Sequence, residues 1–228
     1  ERGADFAPQA AKLLDACTAA VKIVFVCSPN NPTGNLIERP TLERLCASLA
    51  GQALVVVDEA YLEFAQTSSA IDWIARFPHL VVLRTLSKAF GLAGARCGVL
   101  VGNAELVDLL RRMIPPYAIT APTIEAVLHA QEPAQRITAA ARVEIIIRER
   151  ARLAAGLARS EQISRVWPSA ANFLLVDCVD AQRVLEAAAA ARLLVRDVRS
   201  QSSLGASLRI TVGTPEQNDR LIAAVLSA

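Results

Sequence analysis

Histidine, lysine, methionine and aromatic residues are all scarce in this chain of 228 residues. The two histidines, His79 and His129, lie far apart and lack ligand-like neighbours, which argues against a metal site. The five cysteines, Cys17, Cys27, Cys46, Cys97 and Cys178, are odd in number, widely spaced and without a C-x-x-C pair, so they read as buried free thiols rather than a disulfide framework. No apolar run approaches the ~20 residues needed to cross a bilayer, and the N-terminus shows no leader pattern; the expectation is a cytoplasmic protein without membrane contact. A net charge of +2, with no basic stripe, argues against nucleic acid as a partner. Aromatics make up 4% and hydrophobic residues 53%, so the core must be built mainly from Ala, Leu, Val and Ile. The only methionine is Met113, so Glu1 is not a natural translation start, and an upstream segment is expected.

The shortage of lysine carries positive information. Only Lys12, Lys22 and Lys88 occur among 24 basic residues, so arginine serves almost wherever a positive charge suffices. Lys12 lies on an amphipathic helical pattern and Lys22 just before a strand, both ordinary solvated settings. Lys88 sits instead in Thr-Leu-Ser-Lys-Ala-Phe-Gly-Leu-Ala-Gly, where a lysine is needed as an amine.

Apolar, β-branched runs at Lys22–Cys27, Leu54–Val57, Leu80–Leu83 and Cys97–Val101 predict buried strands. Helical stretches are predicted at Leu36–Ala50 and, shorter, around Ile71–Phe77. Alternating strand and helix implies a mostly parallel sheet with covered faces, whose ligands bind beyond the carboxyl ends of the strands. Beyond Gly102 the pattern turns helical, at Glu105–Ile114, Thr123–Gln131 and about Ala134–Arg159. After Pro168 come candidate strands Asn172–Val176, Leu193–Val195 and Leu208–Val212, with helices at Ala181–Arg192 and Pro215–Leu226. The expected organisation is an α/β protein with part of a large domain over 1–115, connecting helices over 116–160 and a small C-terminal α/β domain over 161–228.

Polar chemistry concentrates just after the strand ends, in Ser28-Pro29-Asn30-Asn31-Pro32-Thr33-Gly34, Asp58-Glu59-Ala60-Tyr61 and Arg84-Thr85-Leu86-Ser87-Lys88. Taken singly, each has a structural reading. Asn31–Gly34 could be a strand-to-helix turn, Asp58 a helix cap, Tyr61 a half-buried aromatic, and Thr85 and Ser87 turn caps. Gly94-Ala95-Arg96-Cys97-Gly98 is no dinucleotide fingerprint, because it precedes a strand instead of opening a helix. Together, a lysine amine beside hydroxyls and an arginine, with an acid at a neighbouring strand end, suit a phosphorylated aldehyde cofactor.

The order S-P-N-N-P-T-G, V-D-E-A-Y, R-T-L-S-K-A-F-G-L-A-G-A-R-C-G and L-R-I-T-V-G-T resembles the fold-type I aminotransferases that use pyridoxal 5'-phosphate (PLP), specifically the histidinol-phosphate aminotransferase family. The resemblance covers essentially the whole chain. It implies a fold-type I large domain with a small C-terminal domain, and a homodimer. It makes Lys88 the Schiff-base lysine and proton carrier, and Asp58 the acid that pairs with the pyridine nitrogen. Asn31 and Tyr61 match the residues that hydrogen-bond the phenolic oxygen, and Thr85, Ser87 and Arg96 match the phosphate contacts. Arg209 matches the arginine that recognises the substrate's anionic end, with Arg196 and Tyr117 as further candidates for that pocket. The implied reaction moves an amino group between L-histidinol phosphate and 2-oxoglutarate, giving glutamate, in histidine biosynthesis.

The family's upstream Gly-rich phosphate loop, ring-stacking aromatic and partner-subunit tyrosine have no counterpart in these residues. Two alternatives therefore stay open. One is a related PLP enzyme, an aromatic aminotransferase or a threonine-phosphate decarboxylase; the other is a truncated chain that folds without binding the cofactor.

Overall fold

The computed structural model describes residues 6–201 and 203–228. The chain forms two compact units, one made of the residues up to Pro29 with Leu36–Ala140, the other of Asn30–Asn35 with Ala141–Ala228.

The first unit is organised by a four-stranded sheet: β1 (Ile23–Cys27), β2 (Leu54–Asp58), β3 (Leu80–Thr85) and β4 (Gly98–Val101), in that order. The first three are parallel and β4 is antiparallel to β3. Leu54-Val55-Val56-Val57 is β-branched and nearly continuous in its apolar character, as a strand covered on both faces requires, and all three valines are buried. Helices α1 (Ala10–Ala16) and α2 (Arg39–Ser48) pack together, and Leu42, Leu45 and Cys46 of α2 join Val55, Val57, Leu80 and Val82 in one core. Leu45 is fully buried, so Leu45→Ala would cost about 2–5 kcal/mol. β1 is an edge strand and behaves differently: Ile23 and Phe25 stand exposed while Val26 is buried.

The helix expected around Ile71–Phe77 is only a 3₁₀ turn, Ala70–Trp73, capped by the Ser69 hydroxyl. Pro78 follows closely and leaves no room for longer helix. Helices α3 (Ala104–Arg111), α4 (Ala121–Ala130) and the 25-residue α5 (Pro133–Leu157) follow, α5 running on into the second unit. No helix among the described residues is long and apolar enough to cross a membrane.

The second unit carries an antiparallel sheet in the order β5 (Ile163–Val166), β6 (Phe173–Cys178), β8 (Ser207–Thr211), β7 (Arg196–Asp197). Helices α6 (Ala181–Ala190) and α7 (Pro215–Leu226) pack with Leu153 and Leu157 of α5 against Leu174, Val176, Leu208 and Ile210. Thr214 and Gln217 form a reciprocal capping box at the start of α7, with Pro215 at a position where a missing N–H costs nothing. The strand expected at Leu193–Val195 is displaced to Arg196–Asp197. Arg192 adopts φ 57° and Leu193 N–H bonds back to Ala188 O, so these residues close α6, and the ladder to β8 starts only at Arg196. None of the five cysteines forms a disulfide; Cys46 and Cys178 are buried, whereas Cys17, Cys27 and Cys97 are only half-buried.

Candidate active site

In the first unit, parallel pairing aligns the carboxyl ends of β2 and β3, and the candidate residues follow from that alignment. Asp58 ends β2, level with Leu83 of β3, and its Oδ1 accepts the Ala60 N–H at 3.0 Å, which fixes the carboxylate against its own turn. Tyr61, three residues on, is buried. Thr85 ends β3, and its hydroxyl donates to Ser87 Oγ at 2.9 Å while accepting the Ser87 N–H at 3.1 Å. That local turn brings two hydroxyls and a backbone amide together, the donor types that suit a phosphate. Leu86 N–H bonds to Cys97 O, and Gly98 pairs with Thr85, so the antiparallel return of β4 brings Arg96 back beside the Thr85–Ser87 turn.

Arg96 itself has φ 55°, a left-handed conformation uncommon for a side-chain-bearing residue and concentrated at functional sites. Its Nη1 donates to Ala93 O at 3.1 Å. Lys88 is exposed, and its Nζ lies 5.4 Å from the Tyr61 ring centroid, within reach of a cation–π contact. One amine, one carboxylate and a turn with two hydroxyls thus lie at the carboxyl ends of adjacent strands of a single sheet.

The back of the same strand ends holds a cluster that the motifs alone do not reveal. Glu59 is only 3% exposed and accepts from Ser69 Oγ at 2.6 Å and Ala70 N–H at 2.7 Å. Arg84 Nη1 lies 3.5 Å from Glu59 Oε2, and its Nη2 donates to Glu63 Oε1 at 2.6 Å. Burial pushes the Glu59 carboxyl above the usual carboxylate range, with the Ser69 and Ala70 hydrogen bonds and the Arg84 charge acting against that rise. A signal was available: Glu59 and Arg84 flank Asp58 and Thr85, and strand alternation sends such neighbours to opposite faces.

The second unit gathers a different set. Arg209 of β8 lies directly opposite Arg196 of β7 in an antiparallel ladder, so the two guanidinium-bearing residues share one face of the sheet. Arg209 donates from Nη1 to Asn31 Oδ1 at 2.8 Å and its Cζ sits 5.2 Å from the Phe173 ring centroid; its buried Nε has no partner among the described residues. Asn31 belongs to the Asn30–Asn35 turn, which bonds through Gly34 O to Ala170 N–H. Like charges placed directly opposite repel unless an anion lies between them, so this pair suits a doubly charged group. Tyr117, at 99% exposure in the turn after α3, touches neither set. Among the described residues no three His, Cys, Asp or Glu side chains group to hold a metal.

The profile of the family described as aminotransferase class I and II matches residues 2–225. The chain belongs to that family. Among the curated relatives of this aminotransferase chain, the histidinol-phosphate aminotransferase of Xylella fastidiosa (strain 9a5c) is 48% identical over 210 residues, covering 92% of this chain and 58% of the relative. That of Stenotrophomonas maltophilia (strain R551-3) is 47% identical over 204 residues, covering 90% and 56%. This chain therefore spans a little over half the length of these relatives. A solved histidinol-phosphate aminotransferase from Sinorhizobium meliloti, in complex with pyridoxal-5'-phosphate, superposes with a TM-score of 0.85 over 99% of this chain and 62% of that one. At 24% identity that likeness speaks for the fold alone. The α/β, fold-type I architecture expected from the motifs is thereby established.

Proposed function

We propose that the protein is a PLP-dependent histidinol-phosphate aminotransferase, moving an amino group between L-histidinol phosphate and 2-oxoglutarate in histidine biosynthesis. The observation that carries the substrate is the Arg196–Arg209 pair on one sheet face, a fork suited to the dianion of a phosphate monoester. Relatives of that name at 47–48% identity support the same reading.

The residues of the first unit fit the cofactor group by group. Lys88 Nζ would hold its aldehyde carbon and, when free, would serve as the base that moves a proton at the substrate carbon. The Asp58 carboxylate keeps a proton on the ring nitrogen by opposing charge. Thr85, Ser87 and Arg96 hold the phosphate, and the Tyr61 hydroxyl serves the ring oxygen. In the second unit, Asn31 Oδ1 accepts from Arg209, so the donor group of the Asn31 side chain is its amide NH₂. When bound, PLP supplies an electron-poor ring that stabilises negative charge on the substrate carbon.

The reading includes a cytoplasmic homodimer. Support for dimerisation is the exposed apolar side chains Leu109, Met113, Ile114, Ile119, Ile124 and Leu128 within one stretch of chain. Support for the cytoplasm is that none of the five cysteines forms a disulfide, the state a reducing compartment preserves.

The test is glutamate release from 2-oxoglutarate in the presence of L-histidinol phosphate, L-phenylalanine or L-threonine phosphate. Preferential release with L-histidinol phosphate is expected. Equal or faster turnover of the aromatic amino acid, or decarboxylation of threonine phosphate, would contradict the substrate assignment.

A further inference from the structure

We propose that Glu59 and Arg84 are positioning residues whose partly buried ion pair fixes the spacing between Asp58 and Thr85, and thereby the affinity for the cofactor. This rests on the PLP reading above and names a determinant of that same site.

The argument begins with strand parity. Asp58 pairs with Leu83, so Asp58, Leu83 and Thr85 share one face of the β2–β3 ladder, and Glu59 and Arg84 share the other. Glu59 N–H bonds to Leu83 O at 2.9 Å, which continues the ladder one residue past the end of β2 and sets Glu59 level with Arg84. Each member of the ion pair is therefore the immediate chain neighbour of a residue facing the cofactor: Glu59 follows Asp58, and Arg84 precedes Thr85.

PLP is a planar ring whose nitrogen and phosphate-bearing arm leave the ring at fixed positions, and the arm is short. A relative shift of the two strand ends would spoil either the contact to Asp58 or the one to Thr85 and Ser87. The clamp opposes such a shift from several sides. Glu59 is anchored by Ser69 Oγ and Ala70 N–H from the loop after Tyr61, and Arg84 is held in turn by Glu63, two residues after Tyr61. An ion pair with one buried member is not a general source of stability, since apolar residues of similar volume serve as well. Its placement directly behind the two cofactor-facing residues points to geometry as its role.

The test uses the protein as its gene encodes it. PLP affinity is measured by absorbance titration for wild type, Glu59→Gln, Arg84→Met, Arg84→Lys, the Glu59→Gln/Arg84→Met double variant, and Leu49→Ala as a core control, a fully apolar side chain of the same unit. Melting curves establish that each is folded and allow comparison at similar stability. Glu59→Gln and Arg84→Met are expected to weaken PLP binding about tenfold or more. The double variant should be no weaker than the worse single one, Arg84→Lys should recover part of the loss, and Leu49→Ala should bind like wild type. The pH midpoint of the bound cofactor's visible band should move in the pair variants alone.

Affinities within about twofold of wild type in the pair variants would overturn the proposal, as would an equal loss in Leu49→Ala or loss of folding in every pair variant. Wild type that forms no borohydride-stable adduct on Lys88 would overturn the PLP reading and this inference together. An adduct on Lys88 with unchanged affinity in the variants would overturn this inference alone.

Discussion

Arg209 and Asn31, 178 positions apart in the chain, are joined by a 2.8 Å hydrogen bond from Nη1 to Oδ1. The bond couples the arginine proposed to meet the substrate's anion to the amide proposed to meet the cofactor's ring oxygen. A lysine at 209 keeps one charge but loses the planar fork and cannot serve Asn31, Arg196 and a phosphate with the same geometry. Arg209→Lys is therefore expected to raise KM for L-histidinol phosphate about 30-fold or more, with PLP affinity changed far less. Steady-state kinetics beside a PLP titration check this; an unchanged KM would remove Arg209 from the substrate site.

Gly34 lies under a double constraint. Its φ is +76°, and a Cβ built on it would collide with the Ser169 side chain, which itself donates to Phe173 O at 2.6 Å and accepts the Ala171 N–H. Gly34→Ala is expected to destabilise the protein by about 2–4 kcal/mol, read from denaturant unfolding. Adding Ser169→Gly should relieve the collision and leave the backbone strain.

The pH dependence of stability has a definite sign at Glu59. Its native pKa is raised above the 4.5 of an ordinary glutamate, chiefly by burial, so the folded state binds the proton more tightly than the unfolded one. Stability from this group is present at low pH and is lost as pH climbs from about 4.5 through the raised native value. Asp197 acts oppositely: hydrogen bonds from Arg199 hold it down at about 2, so its contribution is present above 3.8 and is lost as pH falls towards 2. Melting temperatures of Glu59→Gln across the mildly acidic range should show a flatter decline with rising pH than those of wild type.

Thiol reactivity should divide the cysteines. Burial pushes Cys46 up to about 11 and Cys178 up to about 12, leaving almost no thiolate at neutral pH, while Cys17, Cys27 and Cys97 are partly accessible. Under native conditions an alkylating reagent is expected to label these three well before the buried pair, which react only on unfolding. Mass mapping of the labelled peptides decides it.

Much of this was legible from local pattern. Val55-Val56-Val57 could only be a buried strand, and Pro215 after Thr214 marked the start of the last helix where it occurs. Asp58 and Thr85 do end β2 and β3, and Lys88 follows soon after, where ligands of parallel sheets bind, which is why the three are candidates. Leu193–Val195 misled because its apolarity matches a strand, while the left-handed Arg192 that closes α6 leaves no trace in side-chain pattern. The Arg196–Arg209 pairing and the Glu59–Arg84 clamp depend on register, which no single segment encodes. The motif makes Arg96 a candidate, but nothing in the motif announces its left-handed backbone.

The central claim is that Lys88 is the amine that binds PLP. The decisive measurement is the absorbance spectrum after PLP is added and the excess removed, before and after borohydride reduction, with mass analysis of the labelled peptide and Lys88→Ala as control. A visible band that reduction converts into a stable adduct on Lys88, absent from Lys88→Ala, is the predicted result. No adduct in wild type, or an equal adduct on Lys12 or Lys22 in both proteins, would contradict the account.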